Sequence, residues 1–300
     1  MSSIAHTLAK ARSAGLDRLD ADLLLLHALG NRATELNQRR SWLLAHDADP
    51  VAPDTQALFE QLVLRRRGGE PLAYIVGHKE FFGLDLLVDP RVLVPRADTE
   101  VLVEWALACI DQLPLRCTGD PIRLLDLGTG SGAIALAIGH ARPLTQVDAV
   151  DASAGALELA RANAARLGLA LQWLEGSWYE PVTGQYDVIV SNPPYVRADD
   201  PHLPGLAHEP GTALVSGADG LDDIRHIVNG AAAHLLPDGW LLLEHGFDQG
   251  PDVSALLQAA GFRHISARRD LGGHWRCSGG QCNLEDPGQA RSCAATAAGR

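Results

Sequence analysis

From Pro121 onward the sequence alternates short apolar runs with stretches of helical periodicity, and this alternation restricts the fold more than any other feature of the chain. The runs are Ile122 to Leu127, Gln146 to Val150, Leu171 to Leu174, Asp187 to Ser191, Trp240 to Glu244 and Phe262 to Ala267. Apolar strands separated by helices predict a parallel sheet covered on both faces, a doubly wound α/β domain. Such sheets bind ligands at the carboxyl ends of their strands, so chemistry is expected in the residues that follow each run. No internal repeat accompanies the pattern.

Residues 1–76 read differently. Leu19, Leu23, Leu26 and Leu29, then Leu58, Leu62 and Val63 ahead of Arg65-Arg66-Arg67, recur at helical spacing and predict a small helical domain. Gly68-Gly69 and Glu70-Pro71 punctuate it. Over residues 77–96 the pattern becomes alternation, with Phe82, Leu84, Leu86 and Val88, a turn at Asp89-Pro90-Arg91, then Val92 and Val94; a β-hairpin linker is expected. Asp98 or Thr99 can cap the next helix, whose buried side is Val101, Leu102, Trp105 and Cys109. Residues 97–276 then carry the α/β domain. The stretch 277–300 is rich in Gly, Ala, Ser and Cys without apolar periodicity, and is expected to be a mobile tail.

With 300 residues the chain has room for two domains or one large one. Hydrophobic residues at 46% and charged residues at 21% exclude a disordered chain, and no apolar stretch approaches the ~18 residues of a membrane span. A net charge of −12 repels a phosphate backbone unless basic residues gather on one face, so nucleic acid is disfavoured as a partner. Cys109, Cys117, Cys277, Cys282 and Cys293 are odd in number and include no C-x-x-C pair, which predicts reduced thiols. No metal site is expected from them, nor from histidines that lack helical i, i+4 spacing. In the absence of a secretory h-region the expected compartment is the cytoplasm.

The first strand of the sheet ends in Asp126-Leu127 and runs into Gly128-Thr129-Gly130-Ser131-Gly132 before a helix. Closely spaced glycines let the backbone approach a ligand and leave helix N-terminal N–H groups free to bind its polar atoms. The spacing is not G-x-G-x-x-G, which argues against a pyrophosphate clamp. The second strand ends at Asp151, where a carboxylate can accept hydrogen bonds from both hydroxyls of a ribose. Trp178 follows the third strand and can lie against an adenine ring. A nucleoside without a diphosphate points to S-adenosylmethionine.

The fourth strand ends in Ser191-Asn192-Pro193-Pro194-Tyr195. A planar amide or aromatic amine attacks a methyl sulfonium poorly until its nitrogen is held towards tetrahedral geometry. The Asn192 side-chain oxygen and the Pro193 carbonyl can accept both N–H groups and aim the recovered lone pair. The prolines fix φ and keep Asn192 out of the helical region, so the acceptors are aimed before substrate arrives. Tyr195 can stack on a flat substrate group. Asn192, Pro193 and Tyr195 are the catalytic candidates, with Pro194 completing the substrate-binding turn.

The chain resembles the protein-(glutamine N5) methyltransferase family that modifies bacterial peptide chain release factors. The likeness runs from Arg18 to about Leu271 through Leu19-Asp20-Ala21-Asp22-Leu23, Arg66-Arg67-Gly68-Gly69-Glu70-Pro71, Glu80-Phe81-Phe82-Gly83, Val94-Pro95-Arg96-Ala97-Asp98-Thr99-Glu100, the glycine loop, the Asn192 motif and Leu242-Leu243-Glu244-His245-Gly246. It implies a Rossmann-like class I methyltransferase domain preceded by a small helical bundle that recognises the protein substrate. It also implies that Gly128 to Gly132, Asp151, Trp178 and Asn192 contact S-adenosylmethionine, and that Asn192 to Tyr195 hold the glutamine of a Gly-Gly-Gln release-factor tip. Departures are Ala97 in place of a proline, Ser177 in place of an acid, and a C-terminal region from His274 that does not follow the family's closing apolar strand. Gly279-Gly280-Gln281 repeats the tripeptide the family methylates, which is expected to be coincidence. An amino methyltransferase acting on adenine or cytosine and a non-catalytic S-adenosylmethionine-binding protein are the rival readings; the first needs a basic channel.

Overall fold

The computed structural model describes residues 2–30, 36–113 and 120–282. They fall into two compact units, one from Met1–His78 with Val88–Pro90 and the other from Lys79–Leu87 with the chain from Arg91 onward. The first unit is helical: α1 (Ile4–Ser13), α2 (Arg18–Ala28), α3 (Leu36–Ala45), α4 (Pro53–Arg67) and α5 (Leu72–Val76). Ser3 caps α1 through the His6 N–H at 3.2 Å, Asp17 caps α2 through the Leu19 N–H at 2.7 Å, and Pro53 begins α4. Its core gathers Ile4, Leu8, Leu24, Leu25, Phe59 and Leu62. Leu19 and Leu58, expected inside, are 39% and 41% exposed: the buried face of α2 falls on Ala21, Leu24, Leu25 and Leu26, and that of α4 on Phe59, Leu62 and Val63. A run of consecutive leucines offers several helical stripes, and packing selects one.

The hairpin strands β1 (His78–Phe81) and β2 (Leu84–Leu87) are formed, but they are not a linker. Phe81, Leu84 and Leu86 are buried in one cluster with Leu102, Trp105, Ile134 and Val190, so the hairpin belongs to the core of the second unit. The Leu87 N–H donates to Asn163 Oδ1 at 2.7 Å, and Asn163 Nδ2 donates back to the Leu87 carbonyl at 3.0 Å.

The rest of this unit comprises α6 (Glu100–Gln112), β3 (Arg123–Leu127), α7 (Ala133–Ala141), β4 (Gln146–Asp151), α8 (Ala154–Leu167), β5 (Gln172–Glu175), β6 (Tyr186–Ser191), α9 (Asp222–His234), β7 (Leu235–Glu244), α10 (Gly250–Ala259), β8 (Arg263–Arg269) and β9 (Trp275–Gln281). The sheet order is β5-β4-β3-β6-β7-β9-β8, parallel except at β9. β3 lies at the switch point, with β4 on one side and β6 on the other, where doubly wound sheets open a crevice for ligands. One apolar cluster covers the face of α6 and α7, and a second, with Leu125, Ile189, Ile224, Ile227, Leu241 and Leu257, covers the other.

Two features differ from expectation. β7 begins at Leu235 rather than Trp240, hidden by Pro237-Asp238-Gly239, a sequence that reads as a turn but forms an irregularity in the register with β6. The expected mobile tail 277–300 is, up to Gln281, the antiparallel strand β9 inserted between β7 and β8; residues 283–300 lie outside the described residues. The closing strand of the sheet is therefore present, and its glycines disguised it. A Cβ on Gly279 would stand 2.6 Å from Leu242 Cδ2 and 2.7 Å from the Leu241 carbonyl oxygen, and one on Gly280 would stand 2.9 Å from Phe262 Cβ. Close packing here replaces apolar periodicity.

Cys109, Cys277 and Cys282 are buried free thiols, and burial pushes Cys109 up to about 12; Cys117 and Cys293 lie outside the described residues. Among the described residues no helix is long and apolar enough to cross a membrane.

Candidate active site

Strand register builds the site. Leu127 of β3 pairs with Val150 of β4 and with Ser191 of β6, and Ser191 pairs with Leu243 of β7. The next residue on each strand is Gly128, Asp151, Asn192 or Glu244, so four strands deliver these residues to one carboxyl edge.

At the first of them the chain turns through Gly128, Gly130 and Gly132 with φ of 74°, 56° and 83°, the left-handed region that glycine enters without a Cβ penalty. Asp151 organises this turn: one carboxylate oxygen accepts the Gly130 N–H at 2.8 Å and the other the Ser153 N–H at 2.9 Å. A carboxylate offers about four lone-pair sites, so Asp151 keeps acceptor capacity for a ligand. Burial raises its pKa above the ordinary carboxylate range. Asp126 is buried beneath the loop, accepts the Thr129 hydroxyl at 2.6 Å and has its pKa pushed up to about 7 by desolvation. The buried Ser131 gives its carbonyl to Asn163 Nδ2 at 3.0 Å, which ties the loop to the residue that grips β2. Trp178, at φ 49°, flanks the loop: a Cβ on Gly128 would meet its ring at 3.4 Å. The sequence-predicted Gly128, Thr129, Gly130, Ser131, Gly132, Asp151 and Trp178 thus converge on one cradle.

At the edge of β6, Asn192 Nδ2 donates to Thr99 Oγ1 at 3.2 Å, while Asn192 Oδ1 is buried with no hydrogen-bond partner. Glu244 accepts the Tyr195 hydroxyl on Oε1 at 3.3 Å, while its Oε2 is buried with no hydrogen-bond partner. Glu244 is 1% exposed, and burial pushes its carboxyl up to about 7. Pro193 is buried and Pro194 half-buried between Asn192 and Tyr195. The turn is held from behind, because Gln249 Nε2 donates to the Tyr195 carbonyl at 3.1 Å and a Cβ on Gly220 would come within 2.3 Å of that same oxygen. Arg276 of β9 pairs with Asp98 at 3.3 Å and Asp270 at 3.1 Å, fixing the 3-10 turn Ala97–Thr99.

Sequence reasoning missed Thr99 and Glu244 as members of the site. Thr99 reads as a helix cap, yet its side chain makes no cap hydrogen bond. Glu244 stood in the Leu242-Leu243-Glu244-His245-Gly246 motif, and a carboxylate closing a fully apolar strand was the available signal.

Residues 2–77 match the PrmC N-terminal domain family, and residues 109–208 the methyltransferase small domain family. The chain is 46% identical over 279 residues to the release factor glutamine methyltransferase of Xylella fastidiosa (strain Temecula1), covering 92% of this chain and 97% of that protein. It is 47% identical over 270 residues to the release factor glutamine methyltransferase of Bordetella pertussis (strain Tohama I), covering 89% and 95%. Among solved structures, a methyltransferase from Pyrococcus furiosus shares the fold, with a TM-score of 0.51 at 21% identity over 73% of this chain and 100% of the other.

Proposed function

The chain belongs to the release factor glutamine methyltransferase family, and from that premise we propose that it transfers a methyl group from S-adenosylmethionine to the side-chain amide nitrogen, N5, of the glutamine in the Gly-Gly-Gln motif of peptide chain release factors. The observation that carries the reading is Asn192 Oδ1, a buried acceptor without a donor at the carboxyl edge of β6. A buried acceptor left without a donor costs free energy, which an N–H arriving on a ligand recovers.

The residues present fit the methyl donor. The left-handed glycines leave a cradle that side chains would fill, Asp151 retains lone pairs for ribose hydroxyls, and the Trp178 ring walls the side next to Gly128. When bound, S-adenosylmethionine would supply an electrophilic methyl for the amide nitrogen, the sulfur keeping the electron pair of its methyl bond and the nitrogen giving up a proton to solvent. Asn192 Oδ1 and the Pro193 carbonyl accept the two amide N–H groups and favour the pyramidal nitrogen, whose lone pair is then available. Tyr195 lies against the flat amide, with its hydroxyl held by Glu244. Gln249 keeps the turn from moving as the nitrogen changes shape.

Gly279-Gly280-Gln281 is not a substrate in this reading. Gln281 pairs with Trp240, which pairs with Val188, placing it towards the opposite end of the sheet from Asn192, and its amide donates to the Asp238 carbonyl at 2.8 Å. The test is mass spectrometry of a release factor incubated with enzyme and S-adenosylmethionine. A single added methyl on the Gly-Gly-Gln glutamine is expected. Methyl transfer to DNA or RNA supplied in parallel, with none to the release factor, would replace this reading with a nucleic-acid one.

A further inference from the structure

The connection between β6 and α9, residues 192–221, is well beyond the roughly 12 to 15 residues that structureless loops rarely exceed, a length associated with function. It leaves the Asn192 turn and comes back to it. Just past Tyr195, the Val196 N–H donates to the Leu214 carbonyl at 2.8 Å, the Ser216 N–H to the Val196 carbonyl at 2.9 Å and the Ala198 N–H to the Gly217 carbonyl at 3.0 Å. These bonds close the neck of an excursion over residues 197–213, which carries two 3-10 turns, Leu203–Leu206 and Gly211–Ala213. Within the excursion the one buried residue is a charged one, Glu209, at 7% exposure. Both of its oxygens are taken by the segment ahead of α6: Oε2 accepts the Val94 N–H at 3.1 Å and Oε1 accepts Arg96 Nη2. A buried carboxylate persists where it is paired, and hydrogen bonds to an ionised group are the strong ones.

These contacts complete a ring around the Asn192 turn. The Arg96 carbonyl accepts the Thr99 N–H at 3.1 Å, Thr99 Oγ1 accepts Asn192 Nδ2 at 3.2 Å, and the chain runs from Asn192 through Tyr195 to Val196, whose ladder partners lead back to Glu209. The turn therefore lies between two walls, the Val94–Thr99 segment and the 197–213 excursion, and Glu209 is where the walls meet. From this arrangement we infer that Glu209 is a positioning residue for the methyl acceptor: by gripping Val94 and Arg96 it holds the excursion against the Asn192 turn and fixes the wall along which the glutamine-bearing segment of the protein substrate is presented. The inference rests on the reading of Asn192 as the acceptor for the substrate amide. The donor cradle is held by other bonds, those of Asp151 to Gly130 and of Asp126 to Thr129, so loss of the grip should spare it.

Glu209→Gln tests the grip. Its remaining oxygen can keep the Val94 N–H, but its N–H2 faces the Arg96 guanidinium, donor against donor. Arg96→Met removes the same ion pair from the other side at a side chain 42% exposed, where the fold is not at stake. On release factor, kcat/KM should fall on the order of 10- to 100-fold in each variant, with S-adenosylmethionine affinity by calorimetry within about twofold of wild type. Hydrogen exchange should quicken across residues 196–217 and stay unchanged through the glycine loop. The double variant should be no worse than Glu209→Gln alone, because the facing donor is gone. Unchanged exchange across 196–217 in Glu209→Gln overturns the inference. So do additive losses in the double variant, or donor affinity falling as far as kcat/KM, since those patterns belong to general loosening. If wild-type enzyme methylates no release factor, the proposed function fails, while exchange across 196–217 in the variants still decides whether Glu209 holds the excursion.

Discussion

An acceptor buried without a donor, as Asn192 Oδ1 is, carries a cost on the order of 1 to 3 kcal/mol that an N–H on a ligand relieves. Asn192→Ala removes that acceptor and is expected to lower kcat by on the order of 10² to 10³ with the fold intact, measured as single-turnover methylation beside a thermal melt. Asp151→Ala acts elsewhere: donor affinity should weaken by about 1.5 to 3 kcal/mol, read by calorimetry, because a charge-assisted acceptor is lost and the Gly130 N–H it holds is released. Protonation supplies a third test. Burial lifts Glu244 from 4.5 to about 7, so the folded protein holds a proton there at pH values where the unfolded chain has lost it. Its contribution to stability therefore declines as pH rises from about the unfolded value through 7. The groups facing it are Thr99 and Asp98 on the 3-10 turn, Tyr195 after β6, and Arg276 and Cys277 on β9. Thermal melts of the wild-type protein across that pH window should show the decline, and in Glu244→Gln it should be smaller. Single residues legible in the sequence were those that punctuate strand ends: the glycines, Asp151 and Asn192. Thr99 and Glu244 were not legible because their partners are 93 and 49 positions away, and no local pattern encodes such a contact.

At the scale of elements, hydrophobic runs identified six strands of the sheet: β3, β4, β6 and β7 are apolar because they are buried on both faces, while β5 and β8 are largely exposed and were marked only by their short apolar stretches. The same rule concealed β9, where Gly279 and Gly280 are buried by the approach of Leu242, Trp105 and Phe262 rather than by side chains of their own. Gly279→Val drives a branched side chain into the Leu241 backbone and is expected to destabilise the second unit by at least ~1 to 3 kcal/mol, visible as a lower urea midpoint. Activity should fall with it, since Arg276 and Cys277 of the same strand sit against Asp98 and Glu244. The hairpin taught a similar lesson: alternation revealed β1 and β2 but not where they pack, and the bond between Leu87 and Asn163 that joins β2 to the glycine loop spans 76 positions.

Over the whole molecule, each unit has its own core, and the cradle and the Asn192 turn both lie on the second. We expect the helical unit to select the protein substrate, because a glutamine side chain alone offers too little surface for recognition. A short Gly-Gly-Gln peptide should then show a much lower kcat/KM than intact release factor, the remote contacts that position the amide being missing. Equal values would place all selection in the Asn192 pocket.

The position of β9 also bears on how the protein is made. Synthesis runs from the N-terminus, and β9 is the last of the described strands to emerge, yet it lies between β7 and β8 rather than at the rim. Until it arrives, β8 has no ladder partner in the sheet, Glu244 lacks its neighbour Cys277, and Arg276 is not there to hold Asp98. The glycine loop on β3 and β4 needs none of these contacts. A nascent chain stalled before Trp275 should therefore acquire a donor cradle before it acquires an ordered Asn192, so that the ability to hold a methyl donor precedes the ability to spend it on the ribosome's own termination machinery.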